Sequence, residues 1–170
     1  MKRIIQYICL CSCVLLLSAC GKTVEEKAQI AVAQAEELFE QPIKTTSANV
    51  NALELYLPAN FRIESAGSDS NYKILHQGDA YILFINTLEK DSRLYYELLQ
   101  QDGTKQILQQ QTFEQDGQFG FVAISQVGEQ QYEMMASIAG NKLTTLTTER
   151  NMEKKLSTMV DIIRSVQYKK

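Results

Sequence analysis

The sequence predicts an α+β fold: one mostly antiparallel twisted sheet with about three amphipathic helices packed on it, preceded by a signal peptide. Three observations predict it. Apolar residues repeat at helical spacing in three separate stretches and alternate in the segments between them. Gly-Asp, Asp-Gly and Gly-Asn pairs punctuate the alternating runs, as hairpins require. The 170 residues are 45% hydrophobic and 22% charged, the balance of one folded domain with its own core.

Taken in order, Met1-Lys2-Arg3 is a short basic start, followed by an apolar stretch from Ile4 to Leu17. That stretch falls short of the roughly 20 apolar residues that span a bilayer and fits the apolar centre of a signal peptide over residues 1–19. Residues 20–23 form a short linker, and residues 24–170 form a single domain with no internal repeat. Thr23 and Glu26 read as a capping box, so a helix starts there. Ala28, Ala31, Ala35, Leu38 and Phe39 supply its apolar face up to about Glu40, and Pro42 closes it. This helix is expected to pack on its own domain, because its many glutamates disfavour an anionic membrane interface.

Leu53 to Leu57 alternates and stops at Pro58, and Phe61 to Glu64 alternates again. Tyr72 to Gln77 and Ala80 to Asn86 flank Gly78-Asp79 as a hairpin. The run Ala80-Tyr81-Ile82-Leu83-Phe84-Ile85 is apolar on both faces, the pattern of a central strand covered on both sides. Glu89 to Gln101 reads as a helix with Leu94, Tyr95 and Leu98 toward the core. Lys105 to Phe113 and Phe119 to Gln126 form the next hairpin around Asp116-Gly117. Tyr132 to Ile138 and Lys142 to Thr148 flank a turn at Gly140-Asn141. Met152, Leu156, Met159, Val160 and Ile163 form one stripe of a last helix, with Asn151 as N-cap, and Ser165 to Tyr168 adds a short edge strand.

Charge and cysteine usage narrow the function. Without the first 19 residues, 15 basic face 20 acidic residues, a net charge of −5. An acidic chain without clustered Lys/Arg is a poor nucleic-acid ligand. The four cysteines are Cys9, Cys11, Cys13 and Cys20, so residues 21–170 hold no disulfide and no thiol nucleophile. Cys9, Cys11 and Cys13 act as small hydrophobes of the signal segment.

Leu17-Ser18-Ala19-Cys20-Gly21 resembles a lipobox, an aliphatic residue and two small residues before cysteine. The resemblance implies a diacylglyceryl thioether on the Cys20 sulfur and cleavage by signal peptidase II between Ala19 and Cys20, with Cys20 as the lipidated (palmitate-bearing) N-terminus. Two or three buried acyl chains hold a protein stably on a membrane. Further landmarks are Phe39-Glu40-Gln41-Pro42, Leu55-Tyr56-Leu57-Pro58, Tyr81 to Asn86, Asn141 to Thr145, and Met159 to Val166. They resemble a group of lipobox-containing lipoproteins of low-GC Gram-positive bacteria, and their order is similar to the PsbP/Mog1-like fold. The resemblance implies a single membrane, with Cys20 tethering the domain to its extracytoplasmic face, and a binding or assembly role. It names no reaction.

The catalytic inventory is thin. His76 is the only histidine, so a multi-His zinc site cannot be built and no Gly-x-Ser-x-Gly elbow accompanies it. It is read as an exposed structural residue. Asp69, Asp79, Asp102 and Asp116 lie in turns, where Asp bonds the local backbone; Asp69 and Asn71 offer too few oxygens for calcium. Tyr72, Tyr81, Tyr95, Tyr96 and Tyr132 read as core or sheet surface. The expectation is a non-enzymatic, lipid-anchored interaction module without cofactor or metal, whose partner is an envelope or membrane protein. The alternative is a small-ligand binding lipoprotein. An open apolar patch would favour the first, and an apolar pocket with converging polar groups the second.

Overall fold

The computed structural model describes residues 21–169 apart from 69, 87, 89–91 and 116. The expected signal segment 1–19, Cys20, Asp69 and Asp116 therefore lie outside the described residues. Among those described, no helix is long and apolar enough to cross a membrane.

Helix α1 runs over Val24–Glu40. Its start is the expected capping box: Thr23 Oγ1 accepts from the Glu26 amide at 3.2 Å, and Glu26 Oε2 accepts from the Thr23 amide at 2.9 Å. Strands β1 (Ala48–Val50) and β2 (Leu53–Leu55) form a hairpin. Strands β3 (Arg62–Ser68), β4 (Asn71–His76) and β5 (Asp79–Phe84) form a meander. Helix α2 covers Leu94–Gln101. A second meander follows through β6 (Gln106–Gln115), β7 (Gln118–Gly128), β8 (Gln131–Ile138) and β9 (Asn141–Thr147). Helix α3 (Met152–Arg164) and strand β10 (Gln167–Tyr168) close the chain.

The main sheet has seven antiparallel strands in the order β3-β4-β5-β9-β8-β7-β6. The two meanders thus join where β9 docks beside β5, with Tyr81 opposite Thr145 and Leu83 opposite Leu143. A second, three-stranded sheet β1-β2-β10 was not expected. The alternation of Leu53 to Leu57 marks β2, but three-residue β1 and two-residue β10 are too short to show which strand they pair with, and the final strand joins this sheet instead of the main one. Ser165 ties it to α3, donating to the Ile162 carbonyl and accepting from the Tyr56 amide, both at 2.7 Å.

Side chains alternate across each strand, so the main sheet has two distinct faces. On the first, α1 and α3 bury Tyr72, Ile74, Tyr81, Leu83, Val122, Ile124, Met134 and Leu143. The two helices lie side by side in the same direction: Lys27 pairs with Glu149 at 3.1 Å near their starts, and Arg164 reaches the α1 carbonyls at their ends. On the second face, α2 buries Phe119, Phe121, Ala123 and Met135. The first helix therefore packs on its own domain, as expected.

Several local expectations are corrected. The strand buried on both faces is β7, where Phe119 to Ser125 are all buried, and not β5. In β5, Tyr81 and Leu83 are buried but Ala80 and Ile82 are exposed, because α2 is seated over β6–β8 and reaches β5 only at Phe84. Helix α2 is also rotated from expectation: Leu99 points inward with Tyr95 and Tyr96 beside it, while Leu94 and Leu98 face outward. The two expected hairpin turns sit one residue earlier. They are Gln77-Gly78 and Ala139-Gly140, whose φ values of 49° and 89°, and 53° and 79°, have the signs a type I′ turn requires. Asn151 precedes α3 with φ 59°, and its side chain caps nothing.

Candidate functional site

Two surfaces remain after the core is assigned. The first is the uncovered half of the second sheet face. Ile82 on β5 stands opposite Thr144 on β9, with Leu146 two residues farther on and Leu75 of β4 diagonal to it, opposite Ala80. Side chains at such diagonal positions lie within reach of each other. Ile82 is 45% and Leu146 55% exposed. The flank of α2 extends this strip. Tyr95 sits edge-on to Phe84 at 5.8 Å, which turns Leu98, one helical step on, toward the same open side, and Leu98 is 51% exposed. Lys142 stands at the seam with its ammonium 4.1 Å from the Tyr95 ring. Desolvation lowers its pKa against the opposing field of Glu133, whose carboxylate is ion-paired with Lys105 and not with Lys142. Arg62 and Lys73 add cations along β3 and β4, the latter opposite Glu64.

The second surface is a cleft of about 440 Å³ on the first face, between the Pro58–Phe61 turn, the β4–β5 turn and the first half of α3. Its walls follow from local sequence. The Phe61 amide bonds the Pro58 carbonyl at 3.1 Å, and Asn60, at φ 66°, takes the left-handed position this turn needs. The turn lays the Phe61 ring on the His76 ring, with centroids 3.9 Å apart and planes within 5°. His76 Nδ1 lies 3.3 Å from the Asn60 carbonyl oxygen, which ties the ring to the turn. Tyr81 forms the floor, and its ring tilts against Phe61 at 5.9 Å. On the α3 side, the Lys155 ammonium is held by Asp79 at 2.8 Å and Thr147 at 2.9 Å, while Lys154 has no ion pair among the described residues.

This geometry corrects two sequence expectations. His76 is half-buried in a stack instead of exposed, since the Pro58 turn folds back over it. Asp79 bonds α3 across the fold, not its own turn. Asp102 behaves as expected and accepts from the Thr104 amide at 3.0 Å. Tyr72, Tyr81 and Tyr132 are core residues, and Tyr95 and Tyr96 of α2 pack against the second sheet face. Among the described residues no group of three or more His, Cys, Asp or Glu is placed to hold a metal.

No family model matches this chain, and no curated protein matches it in sequence. Among solved structures it is similar to the solution structure of cyanobacterial PsbP (CyanoP) from Synechocystis sp. PCC 6803. The identity is 11%, covering 73% of this chain and 91% of that chain, with a TM-score of 0.41. The likeness is weak and partial, and it concerns the fold alone.

The floor of the cleft has a titration signature. Burial, and then the neighbouring Asp79 carboxylate, push the Tyr81 phenol up to about 12. Between pH 10 and 12 the unfolded chain loses this proton and the folded chain keeps it. The unfolded state then binds fewer protons, and stability falls as pH rises. Native protein is expected to lose about 2–3 kcal/mol across that window through this group. Tyr81→Phe should flatten the decline in urea midpoints by that amount and remove one late-ionising phenol from the ultraviolet titration. An equal decline in both proteins would show that Tyr81 ionises normally.

Proposed function

We propose that this chain is a lipid-anchored, extracytoplasmic interaction module of the cell envelope. In this reading it works without catalysis and takes an acidic, apolar segment of a protein in the same membrane. The observation that carries the reading is the open half-face of Ile82, Leu146 and Leu98, apolar at its centre and bordered by Lys142 and Arg62. An apolar strip with an unpaired, partly desolvated cation at its seam suits an apolar partner segment bearing a carboxylate, which would relieve the ammonium. The lipobox reading adds the tether. Gly21 and Lys22 alone separate Cys20 from the capping box at Thr23, so the start of α1 lies within roughly 10 Å of the anchor. Lys27 of α1 pairs with Glu149, two residues beyond β9, so an anchor at Cys20 would stand at the Leu146 end of the open face. Anchoring there raises the local concentration of any partner in the same bilayer.

The test is photo-crosslinking in cells. A photoreactive residue at Leu146, and a second at Leu98, should each give one adduct of the same size. Ile82→Glu should abolish it, and Lys142→Glu should reduce it several-fold. Cys20→Ala should remove both lipid labelling and the adduct, while a photoreactive residue at Thr112 gives none. An adduct that survives Ile82→Glu, or one of two copies of this chain, would overturn the assignment of the face. Unchanged lipid labelling in Cys20→Ala would overturn the anchor.

A further inference from the structure

We propose that the cleft over Tyr81 is a binding site for a small organic anion with a flat apolar body, of the aromatic carboxylate class. It goes beyond the docking face and is separate from it, since Tyr81 and Ile82 are consecutive in β5 and point to opposite sides of the sheet.

Three observations carry the inference. The first is the Tyr81 hydroxyl. Tyr81 is only 1% exposed and its side chain lines the cleft, with burial and the Asp79 carboxylate, and no hydrogen bond, acting on its hydroxyl among the described residues. The ring is packed in the core while the hydroxyl is reached only from the cleft, so its partner must come from there. Here the donor is left for a guest. The phenol stays neutral across the physiological range and presents a proton, the group a carboxylate oxygen accepts. The second observation is the wall. The parallel Phe61–His76 stack, with Phe61 tilted on Tyr81, forms a rigid aromatic surface against which a planar body packs. The third is charge. Asp79 neutralises Lys155, and Lys154 lines the cleft with no ion pair among the described residues, so the lysines and aspartate of the lining leave one positive charge. The volume of about 440 Å³ is that of a small-molecule site.

The two polar donors and the flat wall together select the class. An inorganic anion would leave the aromatic wall unused, and an uncharged aromatic would leave Lys154 and the phenol without an acceptor. The chain has one histidine, so the His76 ring gives a single imidazole signal that reports directly from the cleft wall.

The experiment is a titration of the detergent-solubilised, lipid-anchored protein with benzoate, followed by the His76 ring resonances in proton NMR. Benzoate should shift them saturably. Phosphate and benzyl alcohol should require at least tenfold higher concentrations. Tyr81→Phe, which keeps the ring in the core, should weaken benzoate at least tenfold, and the surface change Lys154→Gln several-fold. No saturable shift with benzoate, or equal affinity in both variants, would overturn the proposal. Phosphate binding as well as benzoate would also overturn it, because the aromatic wall would then play no part. None of these outcomes depends on the crosslinking at Leu146.

Discussion

Arg164→Ala is expected to lower the unfolding free energy by about 3 kcal/mol, the cost of removing a buried, charged hydrogen-bonding group. Arg164 lies at the end of α3 and is almost wholly buried. Its guanidinium donates to the carbonyls of Leu38, of Phe39 at 2.9 Å and of Gln41 at 2.8 Å, and it lies over the Phe39 ring at 5.4 Å. These carbonyls end α1, whose last turn contains no basic residue of its own. The terminal carbonyls of a helix need donors and favour a positive charge, and α3 supplies both from 123 residues and more away in sequence. Arg164→Lys should recover at most half of the loss, because an ammonium cannot span three carbonyls as the planar fork does. Urea unfolding of the three proteins checks this. A loss below about 1 kcal/mol in Arg164→Ala would mean that water replaces the clamp at little cost.

How far the fold could be read from the sequence follows from the range of the interactions. The capping box of Thr23 and Glu26 and the stripe Met152, Leu156, Met159, Val160, Ile163 were legible because each is complete within a few residues. The Arg164 clamp was not, since nothing near Arg164 in sequence marks the carbonyls it serves. The coverage of β5 failed for a related reason. Ala80 to Ile85 is apolar throughout, yet whether its second face is covered depends on where α2 lands, and α2 lands over β7. The candidate surfaces inherit that limit. Ile82 and Leu146 became an exposed patch only through the placement of α2, while Tyr81 was legible as a core tyrosine but not as the floor of a cleft. The one sequence signal for that cleft was Pro58 with Asn60, turn formers placed just before an alternating run.

The two faces of the sheet also make different demands, and Phe121→Ala separates them. Phe121 is fully buried on the second face, edge-on to Tyr96 of α2 at 5.4 Å and beside Phe119. Truncating it removes a ring's worth of contacts and leaves a cavity, a loss of about 3–5 kcal/mol in a well-packed site. The helix held there is eight residues long, with no side-chain N-cap, so its persistence depends on packing against this ring cluster. Phe121→Ala should therefore speed amide hydrogen exchange in α2 far more than in α1 or α3, which rest on the opposite face. The neighbouring Val122→Ala, pointing to the first face, should loosen α1 and α3 and leave α2 little changed. If both substitutions accelerate exchange equally in all three helices, the sheet does not insulate its faces. The open apolar strip beside Leu98 would then depend on the whole core and not on the seat of α2 alone. If only α2 responds to Phe121→Ala, the open face and the helix that borders it are one unit, and its apolar surface is set by how firmly α2 is held.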